Sequence, residues 1–350
     1  MEKSSPQTFN ITVRIARFLA ICALAIGTVS ILLLILGISP LTIGVTLAKG
    51  SIFSWMKFSH ALSVWIPLLL CSCGLLFTFR AGLWNIGVEG QVISGAIGAT
   101  LLLRQNDLGL PPELLLCLAI LAGFLAGGAW GALAGLLKNR GGVNEIFGGL
   151  GLNFVAQGAV LWFILGPWKR AGMASMSGTD MFPRELWMYL PQGWRVSPTP
   201  LILAIVAFIL TGLVLGKTRF GLQVKAAGIN PLASRLFGIK PESTTLAAMG
   251  IGGGLAGMAG AIQVICVYHR LIPSISSGYG YLALLVVMLA NYKVTPVPII
   301  CLLFACLAAA SIQLPITLQI DSSLSGVIQG ACVLSGLLVY GIQKRRQGRQ

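Results

Sequence analysis

Charge is what this sequence has least of. Nine acidic residues and two histidines stand among 350 positions, and charged side chains make up only 9% of the chain. A soluble domain carries roughly 25% charged residues, so a water-facing surface of the usual kind is excluded. The same scarcity excludes most enzyme chemistry. No acids form a D-x-D pair and no E-x-x-H occurs. His60 and His269 cannot supply a Ser-His-Asp set or a Cys/His metal centre. The eight cysteines lie almost entirely in apolar stretches and read as small packing residues, with no disulfide framework.

Nucleotide sites are lacking too. Gly252, Gly254 and Gly257 match a dinucleotide spacing, but they lie inside an apolar block without the strand that such a fingerprint needs. They read instead as helix packing, as do the four-residue spacings Gly250/Gly254, Gly253/Gly257 and Ala256/Gly260, and Gly127, Gly131 and Gly135. "GLVLGKT" (212–218) is one residue short of a phosphate-binding loop. No ATP site is expected in this chain.

What is present is apolar length. Phe18–Ala48, Phe58–Phe79, Leu114–Leu137, Ile146–Trp168, Val196–Gly216, Ser243–His269, Leu271–Tyr292, Val294–Ile320 and Ser322–Gln343 contain no Asp, Glu, Lys or Arg. A helix needs about 20 apolar residues to cross a bilayer. Each block is long enough, and Gly90–Leu103 becomes so if its helix begins near Asn85. The runs do not alternate as barrel strands would. The expected fold is all-α and polytopic, with about ten transmembrane helices forming one membrane domain over 1–350. The first block is too long for a cleavable signal and reads as the first helix.

With ten spans and a cytoplasmic N-terminus, the outer side receives Lys49, Lys57, Arg104, Lys169, Arg170, Arg184, Arg195 and Arg270. The other two-thirds of the 24 basic residues fall inside, as the positive-inside rule requires. Both termini are then cytoplasmic. The net charge of +15 reads as a topology signal and a contact with anionic lipid, not as nucleic-acid binding.

Polar residues within the apolar blocks are few. "GLWNIGVEGQ" supplies Asn85, Glu89 and Gln91, and "GGVNEIFGGLGLN" supplies Asn144, Glu145 and Asn153, with Gln157 one turn on. Two readings stay open. The glutamates sit in first helical turns, where the dipole favours negative charge and Arg80 or Arg140 offers a counter-charge; alternatively they touch a substrate. Asn153 and Gln157 share one helix face, for interhelical hydrogen bonds or for lining a polar route.

The segment Lys217–Lys240 carries five basic residues and no acid. Pro231 after Asn230 marks a helix start, and Gly221, Gly228 and Gly238 punctuate the rest, so two short helices joined by a turn are expected. An amphipathic pair like this lies on lipid or docks into a groove of a soluble partner.

"TRFGLQVKAAGINPLASRLFGI", "NIGVEGQ", "GGVNEIFGGLGLN" and "SSGYGYLALLVVMLANYKVTPVPI" together resemble bacterial ATP-binding-cassette (ABC) importer permeases. The resemblance is to the ribose/simple-sugar and branched-chain amino-acid superfamily, in its nucleoside-type branch. Phe147-Gly148-Gly149 departs from the pattern, which leads one to expect a polar or β-branched step there. The resemblance implies a multi-pass permease of the bacterial inner membrane that moves nucleosides or a related purine or sugar ligand. It implies a cytoplasmic ATPase that holds ATP and Mg, a second permease, and an extracytoplasmic substrate-binding lipoprotein. Residues 217–242 would be the cytoplasmic coupling loop. Arg219, Lys225 and Arg235 would be its polar contacts and Phe220 and Phe237 its buried anchors, shaped by Gly221, Gly228, Asn230, Pro231 and Gly238. The outer stretch Trp168–Pro198 would meet the binding protein. The competing reading is an ion-coupled secondary transporter, with Glu89 and Glu145 as its only intramembrane carboxylates.

Overall fold

The computed structural model describes residues 39–105, 109–170 and 176–311, with isolated positions between 23 and 37 and between 326 and 334. About half of the first apolar block and all but a few positions of the last lie outside the described residues. Among the described residues every regular element is helical: α1 (Pro40–Ser51), α2 (Trp55–Arg80), α3 (Val88–Leu103), α4 (Pro112–Gly141), α5 (Glu145–Leu165), α6 (Pro198–Lys217), α7 (Arg219–Ile229), α8 (Pro231–Leu236), α9 (Pro241–Ile262), α10 (Tyr279–Leu289) and α11 (Val297–Ser311). α9 runs on as a π-helical turn, Gln263–Tyr268.

The chain divides into two units, one of residues 62–305 and one of 1–61 with 306–350. In the second, α1 starts on Pro40 and ends where Lys57 donates its ammonium to the Lys49 carbonyl at 2.9 Å. A cation at a helix C-terminus satisfies carbonyls that have no intrahelical partner.

In the unit 62–305, α9 is the hub, packed chiefly on α4 and α3. Glycines make this possible. A side chain on Gly257 would run into the Gly123 carbonyl and lie 2.8 Å from Gly127 Cα. One on Gly127 would run into the Gly253 carbonyl, and one on Gly252 would lie 2.8 Å from the Gly74 carbonyl of α2. Small residues four apart let helix backbones touch, which gains dispersion contacts that lipid cannot match. Above this seam the core holds Ile93, Ala96 and Leu103 of α3, Val160 and Ile164 of α5, and Val264 and Leu271 around the end of α9.

Among the described residues, five helices are long and apolar enough to cross a membrane: α2, α4, α5, α6 and α9 with its π-turn. α3, α10 and α11 are apolar but shorter. The protein is therefore a multi-pass, all-helical membrane protein. Two expectations need correction. α3 begins at Val88, so Asn85 lies in the preceding coil, and its 16 residues span only about 24 Å. Leu271–Tyr292 is not one span: coil runs to Gly278 and a helix of 11 residues follows. Ser277 and Gly278 there have positive φ, which no continuous helix accommodates.

Gly257→Val should lower stability by more than about 3 kcal/mol, because backbone rather than a yielding side chain blocks the new methyls. Gly151→Val, with nothing within 4 Å, should leave the melting temperature within about 2 °C. Thermal unfolding of the purified variants in detergent checks both.

Candidate functional site

Two helix starts in the unit 62–305, that of α3 buried and that of α10 buried only at Gly280, bring no cap of their own. α3 begins after Gly87 and α10 after Gly278, and glycine has no side-chain oxygen for the first free amides. Neighbouring helices supply the acceptors. Asn153 of α5 accepts from the Gly90 amide at 2.8 Å and donates to the Ile86 carbonyl at 2.9 Å. It thus holds both sides of the turn into α3. Glu89, the second residue of α3 and 4% exposed, accepts from the Tyr281 amide of α10 at 3.1 Å. The Gly280 amide and the Ser276 hydroxyl also bond to this carboxylate. A carboxylate suits the place, because the exposed amides of a helix start carry partial positive charge.

Close approach is a condition of this cap. A methyl on Gly280 would lie 2.9 Å from Val88 Cγ1 and 3.0 Å from the Glu89 amide nitrogen. The departure noted at 147–149 has the same explanation: a methyl on Gly149 would lie 2.7 Å from the Gly87 nitrogen. The remaining pair closes the site. Asn85 and Gln91 are fully buried and exchange two amide hydrogen bonds, each 3.0 Å. The Asn153 amide also reaches the Tyr281 hydroxyl at 3.3 Å. Gln157, one turn further along α5, donates to the Pro273 carbonyl at 2.8 Å in the coil before α10.

Asn144 and Glu145 lie apart from this cluster, at the start of α5. Asn144 caps α5 by accepting from the Ile146 amide at 2.9 Å. Glu145 pairs with Lys138 at 3.0 Å, not with Arg140. Arg80 is not the partner of Glu89 either: its guanidinium donates to the Leu215 carbonyl at the end of α6, 2.9 Å away. Sequence reasoning missed Tyr281 and Gly280 as partners of Glu89. The quoted "SSGYGYLAL" held them, but nothing in spacing shows where a helix will break.

The basic segment forms a second cluster. Thr218 caps α7 through the Gly221 amide, and Asn230 caps α8 through the Ala233 amide. Pro231 opens α8, and Gly238, at φ 77°, turns the chain away after it. Gly221 lies against the carbonyls that end α6. Gly228 lies against the turn after α2: a side chain there would run into the Arg80 carbonyl, with the Gly82 nitrogen at 2.8 Å. The opposite face is open. Leu222, Ile229, Leu232, Leu236 and Phe237 are all exposed, Phe237 to 84%, beside exposed Arg219, Lys225 and Arg235. Phe220 is half-buried in its own chain, and Arg235 pairs with Glu242.

The stretch 176–198 is strapped to the end of α9. The amides of Thr179 and Phe182 donate to the Leu271 and His269 carbonyls, both at 2.9 Å, and Trp187 stacks on His269 at 3.9 Å. Arg170 pairs with Asp180 at 3.1 Å.

Residues 57–336 match the family described as "Branched-chain amino acid transport system / permease component". The chain is similar to the glucose ABC transporter permease protein TsgB13 of Haloferax volcanii, at 27% identity over 90% of this chain and 84% of that one. It is similar to the guanosine ABC transporter permease protein NupP of Bacillus subtilis, at 26% over 79% of this chain and 80% of that one. It is also similar to the nucleoside ABC transporter permease protein NupB of Lactococcus lactis, at 24% over 79% and 78%.

Asn85→Leu should destabilise more than Asn85→Leu combined with Gln91→Leu. The single change strands a buried amide at about 1–3 kcal/mol, whereas the double change leaves none unpaired. A double-mutant cycle read by thermal unfolding should give a coupling of about 1 kcal/mol or more.

Proposed function

The chain belongs to the branched-chain amino acid transport system permease family, and on that premise we propose that it carries nucleosides, or a related purine or sugar ligand, across the inner membrane of a bacterium. It is a permease subunit of an ABC importer, and ATP is hydrolysed on a separate subunit. The ion-coupled alternative is set aside on family membership. The carboxylate that it would have used, Glu89, is already committed to the start of α10.

The finer reading follows from the charges and from the exposed face of α7 and α8. A cytoplasmic N-terminus, with the segment 217–242 on the same side, agrees with the excess of Lys and Arg counted there. A second permease, alike or different, completes the route. The extracytoplasmic lipoprotein delivers ligand to the strapped outer stretch, Trp168–Pro198. The observation that carries the coupling role is the exposed apolar face ending in Leu236 and Phe237, ringed by Arg219, Lys225 and Arg235. An amphipathic pair of helices like this fits a hydrophobic groove with an acidic rim. Closure of the ATPase pair then moves α7 and α8, and the bundle changes the side to which its route opens.

Asn153, Gln157, Glu89, Asn85 and Gln91 build the walls of that route rather than reading the ligand directly, since each has a partner within the chain. Asn144 and Glu145 fix the start of α5 beside it.

Leu236→Ala with Phe237→Ala should weaken ATPase binding by about 2 kcal/mol, roughly thirtyfold, as hot-spot residues do. Titrating purified permease with its ATPase measures this, and unchanged affinity would place the docking face elsewhere. For the ligand, proteoliposomes with ATPase and lipoprotein should take up tritiated guanosine in an ATP-dependent way. ATP-dependent uptake of glucose alone would favour the sugar reading.

A further inference from the structure

The two clusters meet at one place, the seven-residue connection between α2 and α3. Its first end touches the coupling segment. The Arg80 carbonyl, Ala81 and the Gly82 nitrogen lie against Gly228, and the Arg80 guanidinium holds the last turn of α6 through Leu215. Its second end is Asn85 to Gly87, locked by the Asn85–Gln91 pair and by Asn153 on the Ile86 carbonyl. Ala81, Leu83, Asn85 and Gly87 along it are buried while Gly82 and Trp84 are exposed, so alternate residues anchor the connection. Beyond it, the Glu89 carboxylate is bonded to the first amides of α10. α10 starts at a break, after Ser277 and Gly278 in left-handed conformations. Such a break is where a helix start can shift without unwinding a continuous element.

Resting on the coupling role given above to Lys217–Lys240, we propose that Glu89 is the positioning residue that passes movement of that segment to α10. The push enters at Gly228, crosses Arg80–Gly87 and moves the start of α3. Glu89 then carries the start of α10 with it, because its oxygen is what holds those amides. Gly280 is part of the device, since a methyl there would wedge the two helices apart. The role needs an accepting oxygen at position 89 and not specifically a negative charge.

The test uses the complete transporter with its ATPase and reads α10 directly. Ser277, exposed just before α10, is replaced by Cys, and its maleimide labelling rate is compared without nucleotide and after trapping with MgATP and vanadate. The unmodified chain is the labelling blank. Trapping should change the rate by about fivefold or more, the lower range of allosteric coupling. In Glu89→Ala the change should vanish, in Glu89→Gln it should persist at half or more, and Gly280→Ala should reproduce the loss. Copurification of the ATPase is followed in each case. A full response in Glu89→Ala or in Gly280→Ala overturns the proposal, and so does a parent thiol indifferent to trapping. Phe237→Ala separates this from the underlying reading. If it abolishes the response while Glu89→Ala does not, the coupling segment stands and the relay falls. If neither changes it, both fall.

Discussion

An amide that starts a helix away from water must find an acceptor, and this constraint organises the centre of the molecule. Four N–H groups at each helix start have no intrahelical partner, and hydrocarbon offers none. α3 and α10 both start on glycine, so neither can cap itself. Asn153 caps the first and Glu89 caps the second, each from another helix. Side chains that look like ligand contacts in an apolar sequence are thus occupied in holding helix ends. Their polarity still matters to transport, because they decide where the bundle is broken and what its breaks are tied to.

The glycine seam and the caps depend on one another. A hydrogen bond of about 3 Å between elements needs backbones that touch. Gly74, Gly123, Gly127, Gly252, Gly253 and Gly257 bring α2, α4 and α9 to that distance, while Gly87, Gly149 and Gly280 do so around the start of α3. The seam is uncharged, with backbone against backbone. Glycine also marks the point where the basic segment meets the bundle, at Gly228 and Gly82.

Much of this was legible in the sequence. Uncharged length identified α2, α4, α5, α6 and α9, because hydropathy depends on composition alone. Four-residue glycine spacing found the seam, and Asn230-Pro231 found the boundary between α7 and α8, because capping is local chemistry. What was not legible depends on partners distant in the chain. Leu271–Tyr292 carries no charge, and the signs that it breaks are Pro273, Ser274, Ser276, Ser277 and Gly278. The partner of Glu89 is a backbone amide, which has no signature, so Arg80 looked like the natural counter-charge and was not. Arg140 stands five residues before Glu145 and Lys138 seven, yet the fold pairs Glu145 with Lys138. Phe220 and Phe237 were read alike, yet Phe220 is half-buried against its own chain and Phe237 is exposed.

The account requires the basic segment to face the cytosol and to be covered there by the ATPase. Lys225→Cys, exposed on α7, tests both points with a membrane-impermeant maleimide on oriented vesicles. The account predicts labelling only in inside-out vesicles and loss of labelling when the ATPase is bound. Labelling from the outer side of right-side-out vesicles would contradict it, because no cytosolic motor could then reach the segment.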